Sequence, residues 1–254
     1  CMACKGSAVR NRLAPHLIYK KMIITDKFTR KLRDMRISVT DRCNFRCTYC
    51  MPKEIYDSNY KFFNKKEILS FEEIIRLTRI LASLGVRKVR LTGGEPLLRN
   101  NIHVLIQKIK EIEGITDISM TTNGVLLSKK KAILLKNSGL SRLTISLDSL
   151  NNKRFREISG SNYLPQDVLS GIDNAKKAGF SNIKINMVVK KFVNEIDILP
   201  MIDNFYNSGS IIRFIEFMDV GNVNFWDRNQ VTTLDDILKV ISSKYDISPI
   251  KKII

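Results

Sequence analysis

The sequence predicts an α/β fold built on parallel strands. Its 254 residues alternate short runs rich in Ile, Val and Thr with longer amphipathic stretches, and the alternation repeats six times. Strands joined by helical crossovers pair in parallel, with right-handed connections. With 44% hydrophobic residues, the chain is long enough to bury one sizeable core. Periodicity leaves two arrangements open, an open doubly wound sheet and a full or partial barrel.

The six predicted strands are rich in β-branched residues and most of them end at Gly, Asn or Asp. They cover residues 35–40, 86–92, 117–122, 142–148, 183–189 and 211–218. In parallel α/β folds, sites form at the carboxyl ends of the strands. The chemically unusual residues of this sequence follow the strands, so we expect the site at that edge of the sheet.

Helical patterns lie between the strands. The clearest is SFEEIIRLTRILASLG, where Ser70 and Glu73 make a capping box and Gly85 ends the helix. Further helices are expected over residues 100–112, 128–138, 165–178, 195–208 and 233–244.

The composition excludes several classes of function. No apolar run approaches the roughly 18–20 residues that cross a membrane. Walker, G-x-S-x-G and H-E-x-x-H motifs are absent, and two histidines argue against His-based acid–base catalysis. The net charge of +18 suits nucleic acid, an anionic surface or a phosphorylated small molecule, but also a plain lysine-rich surface. Five cysteines, three of them clustered, predict a reducing compartment, the cytoplasm.

The stretch TDRCNFRCTYCMP places Cys43, Cys47 and Cys50 in a C-x3-C-x2-C spacing. Structural zinc sites use four ligands, usually as two separated pairs, and no fourth Cys or His follows nearby. In an iron–sulfur cubane, three thiolates would leave one iron open to an exogenous chelator. The spacing therefore favours a cluster, with a zinc site or incidental thiols as the alternative.

This spacing, with Tyr49 before the last cysteine, resembles the signature of radical S-adenosylmethionine enzymes. The resemblance implies that Cys43, Cys47 and Cys50 hold a 4Fe–4S cluster whose fourth iron binds the methionyl group of S-adenosylmethionine. GGEP at 93–96 is similar to the glycine-rich segment of that superfamily, where a backbone without Cβ atoms comes close to the methionyl end. In isolation GGEP would indicate only a turn.

A longer series of motifs points to one family within this superfamily. RISVTDRCNFRCTYCMP, RLTGGEPLLR, TTNG, ISLDSL and RFIEFMDVGN, in this order over residues 23–250, resemble the GTP 3′,8-cyclases, also called molybdenum cofactor biosynthesis protein A. The resemblance implies an incomplete (β/α)6 TIM-type barrel. It also implies reductive cleavage of S-adenosylmethionine, removal of the C3′ hydrogen of GTP by the 5′-deoxyadenosyl radical, and bonding of C3′ to C8.

The resemblance assigns roles by motif position. Those implied to contact S-adenosylmethionine are Tyr49, Gly94, Glu95, Ser146 and Met218. Glu95 has an equal alternative, holding the glycine turn. Those implied to contact GTP are Arg36, Arg90, Thr121 and Lys184. The residue types are consistent with GTP contacts, because cations buried at strand ends require anionic partners and arginine suits phosphate.

One part of the family pattern is missing. The resemblance implies a second 4Fe–4S cluster on three carboxyl-terminal cysteines, and this sequence has none after Cys50. Cys1 and Cys4 are expected to be free thiols of an extension over residues 1–21 without ordered structure, followed by one domain over 22–254. We expect a truncated chain, with a protein that has lost the second site as the alternative, and in either case one cluster and impaired GTP chemistry.

The implied partners are GTP and an external one-electron donor, with cyclic pyranopterin monophosphate synthase as a pathway neighbour and a homodimer as one assembly. Neither nucleic acid nor a membrane is expected. Two alternatives stay open at this point: another radical S-adenosylmethionine enzyme, such as a peptide-modifying one, and a basic zinc-stabilised nucleic-acid-binding protein.

Overall fold

Six strands form one parallel sheet in the order in which they occur in the chain. The computed structural model describes residues 24–221 and 224–250. Its strands are β1 (Asp34–Ser38), β2 (Lys88–Thr92), β3 (Asp117–Thr122), β4 (Arg142–Ser146), β5 (Lys184–Val189) and β6 (Ile211–Glu216). Within these residues β1 and β6 do not pair, so the sheet is not closed. All six strands were predicted from the sequence, to within two residues at each end.

Seven α-helices of the described residues connect and cover the strands. They are α1 (Phe71–Ser83), α2 (Ile102–Lys110), α3 (Lys129–Asn137), α4 (Asn152–Ser159), α5 (Pro165–Lys177), α6 (Ile198–Phe205) and α7 (Leu234–Ser242). Helix α4 was not predicted, and α6 begins after a separate 3₁₀ turn over Glu195–Asp197. The longest of them have 13 residues, and none is long and apolar enough to cross a membrane. The extension predicted over residues 1–21 lies outside the described ranges.

The ends of α1 confirm their sequence signals. The Ser70 hydroxyl accepts the Glu73 N–H at 3.2 Å, and the Glu73 carboxylate accepts the Ser70 N–H at 2.8 Å. Gly85 has φ +120°, and the Gly85 and Val86 N–H groups donate to carbonyls of the last helical turn at 3.1 and 3.0 Å. This is the arrangement that a left-handed glycine permits after a helix.

The two faces of the sheet differ in chemistry. One face is apolar and buried, and its inner part consists of Val89, Leu91, Ile118, Met120, Leu143, Ile145, Ile185 and Met187. The other face carries the alternate residues, which are polar along most strands. Partners in a parallel ladder point to the same face, and the register pairs Arg36 with Arg90, Thr144 with Lys184, and Asn186 with Arg213. The polar face is therefore where a charged ligand would lie.

Candidate active site

The three clustered cysteines lie on the loop that follows β1, at the carboxyl edge of the sheet. The N–H groups of Cys50 and Met51 both donate to the Cys47 carbonyl, at 3.0 and 2.9 Å, which makes a tight turn. The Phe45 N–H donates to the Cys43 sulfur at 3.4 Å. A sulfur that accepts an N–H is stabilised as a thiolate, the form that binds metal.

The thiols lie within electrostatic reach of one another. Burial raises the pKa of Cys43 to about 11, with smaller contributions from Glu95 and Cys50. Burial also raises the pKa of Cys47 well above its usual range, with Asp148 and the other two thiols adding to the effect. Burial likewise raises the pKa of Cys50. Burial thus disfavours the ionised form of all three thiols, and the charge of a bound metal would oppose that effect.

This donor set fits a cluster better than a single metal ion. Across residues 24–221 and 224–250, no group of three or more His, Cys, Asp or Glu side chains could hold a metal ion. In a cubane, each thiolate binds a different iron, so the sulfurs need not converge on one point. Within the part of the chain that the structure describes, the zinc alternative thus finds no ready site, whereas three neighbouring thiols on one loop suit a 4Fe–4S cluster.

The GGEP segment packs directly against the chain that leads into Cys43. The Gly94 N–H donates to the Thr40 carbonyl at 2.7 Å, and the Glu95 N–H donates to the Arg42 carbonyl at 2.8 Å. A Cβ atom on Gly93 would lie 2.4 Å from the Thr40 oxygen, and one on Gly94 would lie 2.2 Å from the Arg42 oxygen. Glycine is required here because two backbone segments touch, a reason that differs from the ligand approach expected from the sequence.

The Glu95 side chain holds this segment to the end of β3. Glu95 as a whole residue is 1% exposed. One carboxylate oxygen accepts the Leu97 N–H at 3.0 Å and the Thr122 hydroxyl at 2.6 Å, and the other accepts the Asn123 N–H at 2.7 Å. Burial raises the pKa of Glu95, and these hydrogen bonds oppose the shift. Of the two roles considered for Glu95, the contacts favour holding the turn.

Tyr49 ties the cysteine loop to the end of β4. Its hydroxyl donates to one oxygen of Asp148 at 2.7 Å, and the other oxygen accepts the Val188 N–H at 2.8 Å. The Asp148 carbonyl accepts a hydrogen bond from the Asn194 amide at 2.8 Å. Burial raises the pKa of Asp148 to about 6, although the bonds from Tyr49 and Val188 lower it.

Two further anchors complete the support of the loop. The Asn123 amide donates to the Asn44 side-chain oxygen at 2.8 Å. The Arg46 and Thr48 N–H groups donate to carbonyls at the end of α4, at 2.8 and 3.0 Å. Gly160 ends α4 with φ +56°, and a Cβ there would lie 2.4 Å from the Arg46 oxygen. The loop is therefore fixed by β2, β3, β4 and α4 together.

A cluster of cations occupies the polar face of the sheet. Burial lowers the pKa of Lys184, and Arg213, Arg142 and Arg90 lower it further in that order. Burial also lowers the pKa of Arg213, followed by Arg90 and Arg142. These four side chains are thus close enough to repel one another. Arg36 lies beside Arg90 in the register, on the exposed edge strand β1.

Most of these cations lack an anionic partner. Arg142 forms a two-bond ion pair with Asp117. Arg213 donates twice to the Asn186 side-chain oxygen, at 2.9 and 2.6 Å. In the described ranges no carboxylate forms an ion pair with Arg90, Lys184 or Arg213. A cavity of about 250 Å³ is lined by Arg36, Lys88, Arg90 and Arg142, with Asp34 as its one carboxylate among the described residues. The arrangement concentrates positive charge that an anion with several charges would neutralise.

Comparison with known proteins decides the family. The Radical SAM superfamily model matches residues 37–205. A GTP 3′,8-cyclase of Staphylococcus epidermidis is 50% identical over 230 residues, which cover 91% of this chain and 67% of that relative. The chain belongs to the radical SAM superfamily and, within it, to the GTP 3′,8-cyclase family. A cyclase of Staphylococcus haemolyticus is likewise 50% identical, over 89% of this chain and 66% of the relative. This chain spans about two thirds of the length of these relatives.

Solved structures support the fold. Streptococcus suis SuiB, in a crystal structure with bound S-adenosylmethionine, superposes with a TM-score of 0.64 at 19% identity, over 83% of this chain and 47% of that one. The open six-stranded sheet and this likeness confirm the incomplete barrel implied by the sequence motifs. Superfamily membership also implies a 4Fe–4S cluster and S-adenosylmethionine for this family member.

The remaining sequence-predicted residues lie on strands of the sheet or directly after one. Thr121 and Ser146 are half-buried on the polar face, where Ser146 pairs in register with Asn186. Met218 follows β6 and is 56% exposed. The residues whose roles were missed are Asn44, Asn123, Arg142, Asp148, Gly160 and Arg213. Arg213 opens the quoted motif RFIEFMDVGN, and its position two residues into β6 would have placed it on the polar face.

Proposed function

We propose that this chain is the radical-generating and phosphate-binding part of a GTP 3′,8-cyclase, which performs the first step of molybdenum cofactor biosynthesis. The observation that carries the proposal is the pairing of a braced three-cysteine loop with unpaired cations on the same sheet. When bound, the cluster and S-adenosylmethionine supply the radical that removes the C3′ hydrogen of GTP, before C3′ joins C8 to give 3′,8-cyclo-7,8-dihydro-GTP.

The cluster loop has defined tasks in this proposal. Cys43, Cys47 and Cys50 would hold the cluster. The Tyr49 hydroxyl is already bonded to Asp148, so the Tyr49 backbone is the part left to contact the adenine. The Gly94 N–H is bonded to Thr40, which leaves the Gly94 carbonyl as the acceptor for the methionyl ammonium. Ser146 and Met218 are proposed to contact the rest of S-adenosylmethionine.

The cations have a matching task for GTP. We assign the triphosphate to Arg36, Arg90 and Lys184, with Arg213 added because it lies among them. The Thr121 hydroxyl is placed on the same face as these side chains and would donate to the nucleotide. Several like charges without carboxylate partners are stabilised when an anion with several charges arrives.

The partners and location follow from this activity. We propose an external one-electron donor, a functional link to cyclic pyranopterin monophosphate synthase, and a cytoplasmic location in keeping with free thiols. We also propose a homodimer; for the second cluster of the family, this sequence has no cysteine after Cys50.

The test uses the full-length protein with reconstituted iron and sulfide under anaerobic conditions. With GTP deuterated at C3′, we expect deuterium in the 5′-deoxyadenosine and the cyclised nucleotide as product. Formation of 5′-deoxyadenosine without deuterium, or only in the presence of a peptide, would contradict the proposal and favour another radical SAM activity. GTP deuterated at C2′ is the matched control and should transfer none.

A further inference from the structure

Asp148 is a buried carboxylate to which the proposed reaction gives no task. The residue is 6% exposed and lies two positions beyond the end of β4. One of its oxygens accepts the Tyr49 hydroxyl at 2.7 Å, and the other accepts the Val188 N–H at 2.8 Å. Two accepting oxygens suit the ionised form of the group, which has no proton to donate. The structure therefore keeps a negative charge at this place.

Asn194 fixes the position of Asp148 from the side of β5. Asn194 is 1% exposed, and its amide donates to the Asp148 carbonyl at 2.8 Å and to the Val188 carbonyl at 2.9 Å. Its side-chain oxygen accepts the Lys190 N–H at 2.8 Å. These bonds lock the chain after β4 to the end of β5, and they keep the Asp148 carboxylate directed at Tyr49.

The Tyr49 hydroxyl lies between this carboxylate and a proposed cluster ligand. Burial raises the pKa of Cys47, the charge of Asp148 adds to the shift, and the Tyr49 side chain opposes it. Burial raises the pKa of Tyr49 as well, and Asp148 and Cys47 add to that shift in this order. The hydroxyl is thus close to both the Cys47 sulfur and the Asp148 carboxylate.

One hydroxyl proton serves only one of these two acceptors, because a tyrosine has a single O–H donor. In the structure the Asp148 carboxylate takes it. A hydrogen bond from O–H to an ionised carboxylate is among the strong ones. In the described part of the chain, the Cys47 sulfur accepts no hydrogen bond. Asp148 therefore withholds the Tyr49 proton from this sulfur.

We propose that Asp148 is a positioning residue that keeps the reduction potential of the cluster low. It holds the Tyr49 hydroxyl away from Cys47 and places a buried negative charge beside that ligand. Hydrogen bonds to the sulfurs and the local charge set the potential of an iron–sulfur cluster, and both act here against the reduced form. The inference rests on the proposed function, in which Cys47 is a ligand and the cluster acts as a strong one-electron reductant.

The test is a redox titration of the reconstituted cluster, followed by electron paramagnetic resonance without S-adenosylmethionine or GTP. It is run at about pH 8, well above the pKa of about 6 that burial gives Asp148. Asp148→Asn keeps the shape of the side chain, removes its charge and frees the Tyr49 hydroxyl for Cys47. We expect the equilibrium constant for reduction to rise about tenfold, which is about 59 mV upward for one electron. The potential is a property of each loaded molecule, so a lower yield of cluster would not change it.

Two further variants separate the hydroxyl from the charge. Tyr49→Phe removes the hydroxyl and keeps the carboxylate, so the potential should not rise. The double variant Asp148→Asn with Tyr49→Phe has no hydroxyl to give to Cys47, and its potential should rise less than that of Asp148→Asn alone. Resonance Raman spectra detect the new bond directly, as an Fe–S stretch that shifts in heavy water in Asp148→Asn and not in the double variant.

The matched control is Asp203→Asn, which removes the same charge. The Asp203 carboxylate also accepts a tyrosine hydroxyl, that of Tyr245, together with the Lys244 ammonium, but on the surface. Water and salt screen an exposed charge, so this variant should leave the potential of the cluster unchanged. Urea unfolding of the apo protein and iron analysis verify that each variant folds and holds a cluster.

The contrary outcomes are distinct. A potential in Asp148→Asn that is unchanged or lower would overturn the inference and leave Asp148 a purely structural residue. An equal rise in Asp203→Asn would overturn it too, and an equal rise in the double variant would overturn the role given to the Tyr49 hydroxyl. Failure of the cyclase proposal would appear separately, as the expected shift in potential in a protein that transfers no hydrogen from GTP.

Discussion

The cysteine loop and the basic face of the sheet satisfy their polar groups in opposite ways. Around the loop, Glu95, Asp148 and Asn123 are buried, and each has protein partners at hydrogen-bond distance. On the basic face, Arg90 and Lys184 lie near other cations, and among the described residues neither forms an ion pair with a carboxylate. These three side chains of the first region are satisfied by protein groups, although the Asn44 amide nitrogen and one Asp41 oxygen beside them are buried without a partner. The second region instead concentrates positive charge.

This difference suits the two regions to different tasks, holding a metal cluster and binding a nucleotide. A metal cluster needs its thiols held at fixed positions, and buried hydrogen bonds supply that rigidity. A nucleotide brings its own negative charge, so its binding residues can be left unpaired at a cost that the ligand offsets. The predictions below separate these two cases, since variants of the loop should affect stability and iron content, and variants of the basic face should affect nucleotide affinity.

The largest effect is expected from removing a ligand. Cys47→Ala leaves two thiols, so the iron content after reconstitution should fall from about four per loop cluster to near zero. Iron and sulfide analysis with absorbance near 400 nm measures it. Thr48→Ala, at an exposed neighbouring position, is the control. Retention of a full cluster by Cys47→Ala would contradict the assignment of the ligands.

The next effect is steric. In Gly94→Ala the new Cβ would meet the Arg42 carbonyl, so the loop must shift. We expect a loss of about 1–3 kcal/mol in the free energy of unfolding together with lower iron content. Gly209→Ala serves as the control, because Gly209 has φ +71° but nothing within 4 Å, and it should lose stability without losing iron. Urea unfolding of the apo protein and iron analysis together test this, and equal iron loss in both variants would refute it.

A smaller effect is expected on the basic face, where a substitution should lower GTP affinity without lowering the stability of the apo protein. Arg90→Met removes one cation, so GTP affinity should fall about tenfold, the loss of one charge-assisted hydrogen bond. The apo protein should be as stable as before or more stable, because the repulsion with Lys184 and Arg213 is relieved. Calorimetric titration with GTP and urea unfolding give both quantities. Arg79→Met, on the exposed face of α1, is the matched control. A marked loss of apo stability in Arg90→Met would show that Arg90 is structural.

The smallest effect is expected at the Tyr49–Asp148 bond. Tyr49→Phe removes one hydrogen bond and leaves the carboxylate with the Val188 N–H, so the apo protein should lose about 1–2 kcal/mol. Tyr245→Phe is the control, because its hydroxyl also binds a carboxylate, that of Asp203, but on the surface. It should lose less than Tyr49→Phe in the same urea experiment. Equal losses in the free energy of unfolding for the two variants would show that the buried Tyr49–Asp148 bond does not stabilise the protein more than a surface bond does.

Much of the fold could be predicted from local sequence patterns. The caps of α1 and the β-branched runs of the strands are short-range signals, and both were confirmed. Helix α4 was missed because it has eight residues, mostly polar, with only Phe155, Ile158 and Ser159 buried. Such a helix is stabilised by its contacts with the cysteine loop and α-helical periodicity alone does not reveal it.

Only part of the candidate site could be predicted from the sequence. The thiol spacing and the glycine pair are consecutive in sequence, so they could be predicted. The bond between Tyr49 and Asp148 joins residues about a hundred positions apart, and no local pattern encodes it. The grouping of Arg142 and Arg213 with Lys184 depends on the register of neighbouring strands, which a single sequence does not specify.

The hydrogen bonds from Arg46 and Thr48 to the end of α4 have a consequence for biosynthesis of the protein. Although the cysteines precede α1, the loop that carries them is anchored by residues 158–160. During translation, the ribosome must therefore release four βα units before the loop can take its native shape. We expect cluster assembly to follow, rather than guide, folding of this half of the sheet, and nascent chains ending before residue 160 to bind iron poorly.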